Sequence, residues 1–209
     1  RLDSALRDRG RHEQVATLLT RVEVDPDDPA FASPTKPIGP LIDDLEAVPE
    51  EWQIGVTAQG PRRVVASPAP LSIVDDDAID ALLGAGAVVL CAGGGGIPVI
   101  KLGDGHIGVD AVIDKDRVSA LLATSLAADM LVISTAIDAL RLDFGEESER
   151  TLREISRSEA EQHMDSGQFP PGSMGPKVSA MLSAKYANPE IQVVLCQPGE
   201  ALAALRGEA

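Results

Sequence analysis

The 209 residues carry 18 lysines and arginines against 33 aspartates and glutamates, a formal charge of −15. A surface this acidic repels nucleic acid and anionic lipid, and no apolar run approaches the ~20 residues that span a bilayer, so polyanion-binding and membrane-spanning proteins are excluded. Hydrophobic residues make up 44% but aromatics only 2%, which calls for a core of Ala, Val, Leu and Ile, suited to helices packed on a sheet.

In chain order, residues 2–9 carry apolar positions at helical spacing and end at Gly10, a C-cap. QVATLLT (14–20) is a β-type apolar run, expected as one buried parallel strand. Prolines at 26, 29, 34, 37 and 40 then exclude a regular helix or central strand. Val22, Val24, Phe31, Ile38 and Trp52 anchor this stretch, so an ordered lid beside the sheet is expected over about 24–63. RRVVAS (62–67) returns to strand character and SPAPL reads as a turn. Asp75–Leu83 is a helix with acidic residues in its first turn and a glycine stop at Gly84 or Gly86. Ala87–Cys91 is a strand ending at four glycines, and GDG at 103–105 is a hairpin turn.

Further on, Asp116–Ala127 is an amphipathic helix with Val118, Leu121, Leu122 and Leu126 on one face. MLVIS (130–134) is a buried strand, followed by TAIDALRLDFG, read as a loop. Ser158–Ser166 is a surface helix with a capping box at Ser158 and Glu161. The loop FPPGSMGPK leads to a helix over 176–186, a strand over 191–196 and a final helix over 199–206. Strands and helices alternate, which favours an open, mostly parallel α/β sheet. Cys91 and Cys196 each close an expected buried strand and read as core-filling thiols of a reducing compartment, so the expected location is cytoplasmic. The chain opens at Arg1 in helix-like sequence and stops just after another helical pattern, and a fragment is expected.

The chemistry concentrates in three places. Gly93, Gly94, Gly95 and Gly96 follow a strand and allow backbone N–H groups to approach an anion; the same glycines would also serve a tight turn. They match neither a dinucleotide fingerprint nor a P-loop, and no GK[ST] occurs, so Rossmann redox and P-loop chemistry are set aside. Lys115 lies between Asp114 and Asp116 at a helix start, with Asp114 the N-cap. A cation there opposes the helix dipole, which suggests that an anion is expected, although a solvated pair at a helix end explains it equally well. Lys177 repeats the pattern after GSMGP, with Pro176 suited to the first helical position. Lys36 in TKPIGP is a third candidate on a stiff segment. His12, His106 and His163 have no metal-binding spacing and no serine sits in a GxSxG elbow, so no metal site, His relay or acyl hydrolysis is indicated. Lysines around a phosphoryl group with glycine backbone beneath it are the best physical match.

The strings QVATLLTRVEVDPDDPAFASPTKPIGP, VVASPAPLSIVD, VVLCAGGGGIPVI, GVDAVIDKDRVSALLA and FPPGSMGPKVSA, in that order, resemble the carbamate kinases of the amino-acid kinase superfamily. The resemblance covers about Gln14 to the last helix. It implies a three-layer αβα sandwich over 1–209 with a mostly parallel sheet and the protruding lid, incomplete at the N-terminus and lacking a C-terminal strand. It further implies reversible phosphoryl transfer between ATP and carbamate with Mg²⁺, a small-molecule substrate in arginine and carbamoyl phosphate catabolism, and a homodimer. By motif, Lys36 would reach carbamate or the moving phosphate and Lys115 would bind phosphate. Asp116 would organise the lysines, and Lys177 would contact nucleotide phosphates. Ser134, Thr135 and Asp138, with Met174 and Gly175, would lie on the nucleotide side, and Gly93–Gly96 would form the floor. The family's Gly-Gly-Asn-Ala and Gly-Asn-Gly-Pro segments have no counterpart here, so an inactive nucleotide-binding or oligomerisation fragment is the alternative expectation.

Overall fold

The computed structural model describes residues 1–57, 59–170 and 174–207, which fall into two compact units, Arg1–Val118 and Ser119–Ala209. The first unit runs α1 (Leu2–Arg7), β1 (Val15–Thr17), β2 (Arg21–Val24), β3 (Lys36–Ile38), β4 (Gln53–Thr57), β5 (Gly60–Val65), β6 (Pro70–Ile73), α2 (Asp76–Gly84), β7 (Val88–Leu90), β8 (Ile97–Leu102) and β9 (Gly105–Gly108), and the division falls early in α3 (Lys115–Ser125).

Residues 14–20 do not form the single strand expected. The chain changes partner there: β1 pairs in parallel with β7 through Val15↔Val88, while β2 pairs in parallel with β8 through Arg21↔Ile97. Thr20 is the pivot. Its hydroxyl accepts from the Ala92 amide at 2.8 Å and its carbonyl accepts from the Ile97 amide at 2.8 Å, so the break between strands leaves its hydroxyl and carbonyl satisfied in a buried place. β2 becomes the centre of a four-stranded sheet ordered β6-β2-β8-β9, and Val22 and Val24 are fully buried.

The expected turn at SPAPL instead begins β6, antiparallel to β2. Proline is tolerated there because it opens an edge strand, where its missing donor costs no ladder bond. The hairpin at 103–105 forms as expected, with Leu102 opposite Gly105 and the positive φ carried by Gly103. The proline-rich stretch is ordered and contributes one strand, β3, on the edge of an antiparallel sheet ordered β3-β5-β4. Pro37 is compatible with that edge place for the same reason. Gly55 is required in β4, since a Cβ there would come within 2.6 Å of Val64 Cγ1. Trp52 is covered by the Arg63 guanidinium, 4.6 Å from the ring centre.

The second unit contains β10 (Met130–Ser134), β11 (Leu140–Leu142), β12 (Arg150–Leu152), α4 (Arg157–Asp165), α5 (Met174–Ala187), β13 (Gln192–Cys196) and α6 (Ala201–Leu205). β10 and β13 pair in parallel over five residues each, from Met130↔Gln192 to Ser134↔Cys196. Ala120, Ala123, Leu131, Ile133, Ala180, Ala184 and Ile191 form the core beside this pair. The small alanines let helices approach a strand pair made of Leu, Ile and Val, as the shortage of aromatic residues implied. Both cysteines are free thiols.

The segment read as a loop after β10 holds an antiparallel pair, Leu140↔Leu152 to Leu142↔Arg150. Only three residues pair on each strand, too few for periodicity to reveal. Buried Leu140 and Leu142 anchor it in a second cluster with Ala160, Phe169 and Val178. The capping box of α4 lies two residues earlier than expected. The Ser156 hydroxyl accepts from the Glu159 amide and the Glu159 carboxylate accepts from the Ser156 amide at 2.9 Å. The sequence SRSEAE offers Ser-x-x-Glu in both registers, and the buried face of Ala160 selects the first. α5 begins at Met174, so Pro176 is the third helical residue. It still falls in the first turn, where amides have no intrahelical acceptor to lose. The loop before it, at 171–173, lies outside the described residues.

Candidate functional site

In the first unit the glycine turn, the start of α3 and one lysine of β3 come together. The turn 93–96 takes positive φ at Gly94 (72°), Gly95 (108°) and Gly96 (78°). A Cβ on Gly95 would lie 2.2 Å from the Ile113 carbonyl oxygen, and one on Gly96 would lie 2.5 Å from Val22 Cγ2. These two glycines therefore serve close packing of the turn against β2 and against the residues leading into α3. Gly93 and Gly94 meet nothing within 4 Å on their Cβ side; only Gly94 has a positive φ.

Asp114 caps α3 as expected. Its Oδ1 accepts from the Asp116 amide at 3.0 Å and the Arg117 amide at 3.4 Å. Its other oxygen does something the sequence did not indicate: Oδ2 accepts from Lys36 Nζ at 2.6 Å. Burial pushes the Asp114 carboxyl up, but the Lys36 ammonium and the two helix amides outweigh it and hold the group below the usual carboxylate range. Lys115 opens the helix with its side chain largely in solvent, 3.7 Å from the carboxylate of buried Asp116. The geometry thus supplies two ammonium groups, the positive end of an eleven-residue helix and a glycine turn, all suited to an anion.

The second unit holds the remaining candidates around the C-terminal ends of β10 and β13. The Thr135 amide donates to the Cys196 carbonyl at 2.9 Å and extends that pairing by one residue. Beyond it, Ile137, Phe144, Phe169 and Met174 wall a cavity of about 360 Å³ whose polar edge includes Asp138 and Arg141. Arg141 spans from Asp138 at 3.2 Å to Glu149 at 2.7 Å. That contact with the guanidinium holds the Asp138 carboxyl below its ordinary value. Gly175 is set by packing: its amide donates to the Pro170 carbonyl at 2.9 Å, and a Cβ would lie 3.1 Å from that same oxygen. Lys177 is the fourth residue of α5 and is half-buried. Ser134, at the end of β10, is exposed.

Residues 38–195 match the model of the amino acid kinase family. The chain belongs to that family. Among curated relatives of this amino acid kinase, Carbamate kinase 3 of Staphylococcus aureus (strain USA300) is 46% identical over 199 residues, which is 93% of this chain and 64% of the relative. The carbamate kinase-like protein YqeA of Escherichia coli (strain K12) is 48% identical over 191 residues, 87% of this chain and 61% of that protein. The chain therefore spans somewhat less than two thirds of the length of these relatives. Carbamate kinase from Giardia lamblia bound to AMP-PNP superposes with a TM-score of 0.87 at 34% identity, covering all of this chain and 67% of that one. The same enzyme bound to citric acid gives 0.90 at 35% identity, covering 99% and 67%. The α/β fold of this amino acid kinase is thus that of the carbamate kinases.

Sequence reasoning on this kinase chain named Lys36, Lys115, Asp116 and the glycines but assigned Asp114 only a cap. No local signal could have shown more, because its second partner lies 78 residues away. Arg141 was likewise missed, since it sits on a three-residue strand too short to read, and its carboxylate partners Asp138 and Glu149 flank that strand pair. Among the described residues no group of three or more His, Cys, Asp or Glu could hold a metal ion, and no helix is long and apolar enough to cross a membrane.

Proposed function

We propose that the protein to which this chain belongs is a carbamate kinase, moving the γ-phosphoryl of ATP onto a carbamate oxygen and, in reverse, making ATP from ADP and carbamoyl phosphate. The P–O bond to ADP breaks as the bond to carbamate forms, with no covalent enzyme intermediate. The observation that carries this reading is the identity of 46–48% with carbamate kinases and a carbamate kinase-like protein across about nine tenths of this chain. The lysine and carboxylate arrangement at the start of α3 supports it, because in-line transfer needs fixed positive charge more than it needs a nucleophile.

In this reading Lys36 and Lys115 neutralise the moving phosphoryl group, Asp116 orients the Lys115 ammonium, and Gly93 and Gly94 leave backbone open beneath it. Lys177 meets the nucleotide phosphates at the start of α5. The cavity lined by Ile137, Phe144 and Met174 has apolar walls and an edge charged by Asp138 and Arg141, which suit a nucleobase and its sugar, and Ser134, Thr135 and Gly175 would serve the same nucleotide side. Mg²⁺ would arrive on the nucleotide phosphates, as this hard cation commonly does. A homodimer working in the cytoplasm completes the proposal. The purified protein is expected to form ATP from ADP and carbamoyl phosphate. Phosphorylation of a different carboxylic acid, with no ATP formed from carbamoyl phosphate, would overturn it.

A further inference from the structure

We propose that Asp114 is a positioning residue for the proposed transfer reaction, acting through Lys36. One carboxylate holds two elements at once. Oδ1 takes the Asp116 and Arg117 amides that start α3, and Oδ2 takes the Lys36 ammonium at the edge of the β3-β5-β4 sheet. Asp114 itself is 8% exposed, so it is held in place by its surroundings while Lys36 remains partly open to solvent. The two oxygens are about 2.2 Å apart by covalent geometry, and this ties the Lys36 ammonium to the first amides of α3 with almost no slack. Lys115, the first residue of that helix, is thereby kept in a set relation to Lys36. Neither lysine needs to be recruited when an anion arrives.

A charged hydrogen bond in a half-dry place also fixes a long, flexible side chain that would otherwise sample many rotamers. The burial of Asp114 is otherwise expensive, and capping α3 alone does not require a charge. Asparagine or serine caps a helix about as well. The charge is explained by Lys36. That Asp114 supports the fold alone would predict no sensitivity to the charge once the cap is kept.

This inference rests on the kinase reading for its activity arm, but a second measurement decides it independently. In the full protein, Asp114→Asn keeps the cap and removes the charge, and its thermal midpoint is expected to fall by only a few degrees, the share that the ion pair with Lys36 supplies. Quantitative acetylation of Lys36, read by mass spectrometry, is expected to speed up at least about three-fold in Asp114→Asn, because an amine no longer held against its carboxylate is free to swing out to the reagent. In the ATP-forming direction kcat is expected to fall about ten-fold with KM for carbamoyl phosphate within about two-fold, as for a misplaced transition-state contact. Lys36→Ala with Asp114→Asn is expected to be no slower than Lys36→Ala alone, since residues that act as one unit are not additive. Unchanged Lys36 acetylation, or fully additive losses in the double variant, would overturn the inference. Absence of ATP formation in the parent protein would sink the proposed reaction, while the acetylation result would still decide the role of Asp114.

Discussion

At the scale of the residue, the start of α3 separates charge that the proposed reaction would use from charge that holds the fold. Lys115 is mostly in solvent, and a cation at a helix N-terminus contributes nothing favourable to that helix. Lys115→Ala is therefore expected to reduce ATP formation by about a hundred-fold or more while shifting stability by less than about 0.5 kcal/mol, measured by initial rates and urea unfolding. Comparable losses in both would argue against its role. Asp114→Ala is the converse case. Losing the cap alone costs about 1 kcal/mol, and the Lys36 ammonium is left without its partner. The pH dependence follows from the same contact. The folded-state carboxyl of Asp114 lies below its unfolded value of about 3.9, so its stabilising contribution is present above that pH and is lost as pH falls through the lower folded value. Asp75, hydrogen-bonded by Arg21 through side chain and backbone, titrates in the same sense. The urea midpoint of the parent is expected to drop between pH 5 and 3, and the drop is expected to be shallower in Asp114→Asn.

At the scale of the element, the glycine turn between β7 and β8 illustrates how one motif can carry two causes. Gly95 and Gly96 are demanded by contact with the Ile113 carbonyl, the Thr20 carbonyl and Val22. Gly95→Ala should destabilise the protein by about 2–4 kcal/mol, combining overpacking against backbone with a positive φ. At Gly93, where the backbone angle is ordinary and the space is open, alanine should leave the unfolding midpoint almost unchanged. Differential scanning calorimetry of the two variants makes the comparison; equal destabilisation would show that the turn is not held against the start of α3. The same scale explains the misplaced boundaries. Both registers of Ser-x-x-Glu were legible before α4, and only the burial of Ala160 selects Ser156. The strand over 14–20 was recognisable by its residues, but its division at Thr20 depends on β7 and β8, which lie some seventy residues further along the chain.

At the scale of the whole molecule, a formal charge of −15 and a calculated isoelectric point near 4.5 set the conditions under which the protein stays dispersed. Solubility is expected to pass through a minimum close to that pH, where self-repulsion vanishes. Turbidity scanned against pH at fixed concentration would show it, and a minimum near neutrality would contradict it. For the phosphate anions of the proposed reaction this surface is a deterrent at long range. Recognition would then rest on the proposed cations Lys36, Lys115 and Lys177, whose influence reaches no further than the ~10 Å screening length at ordinary salt.

The sequence by itself determined the α/β class, the strands that precede the glycines and the cavity, the helix starts at Lys115 and near Lys177, and the ordered rather than disordered character of the proline-rich stretch. Those features arise from composition, apolar periodicity and residues whose backbone preferences act within a few positions. Tertiary structure alone decided that β3 brings Lys36 onto Asp114, that Thr20 divides two strands between two partners, and that Gly95 is a packing glycine. Each of these depends on a contact between residues far apart in the chain, and such contacts leave no period or spacing in the sequence to read.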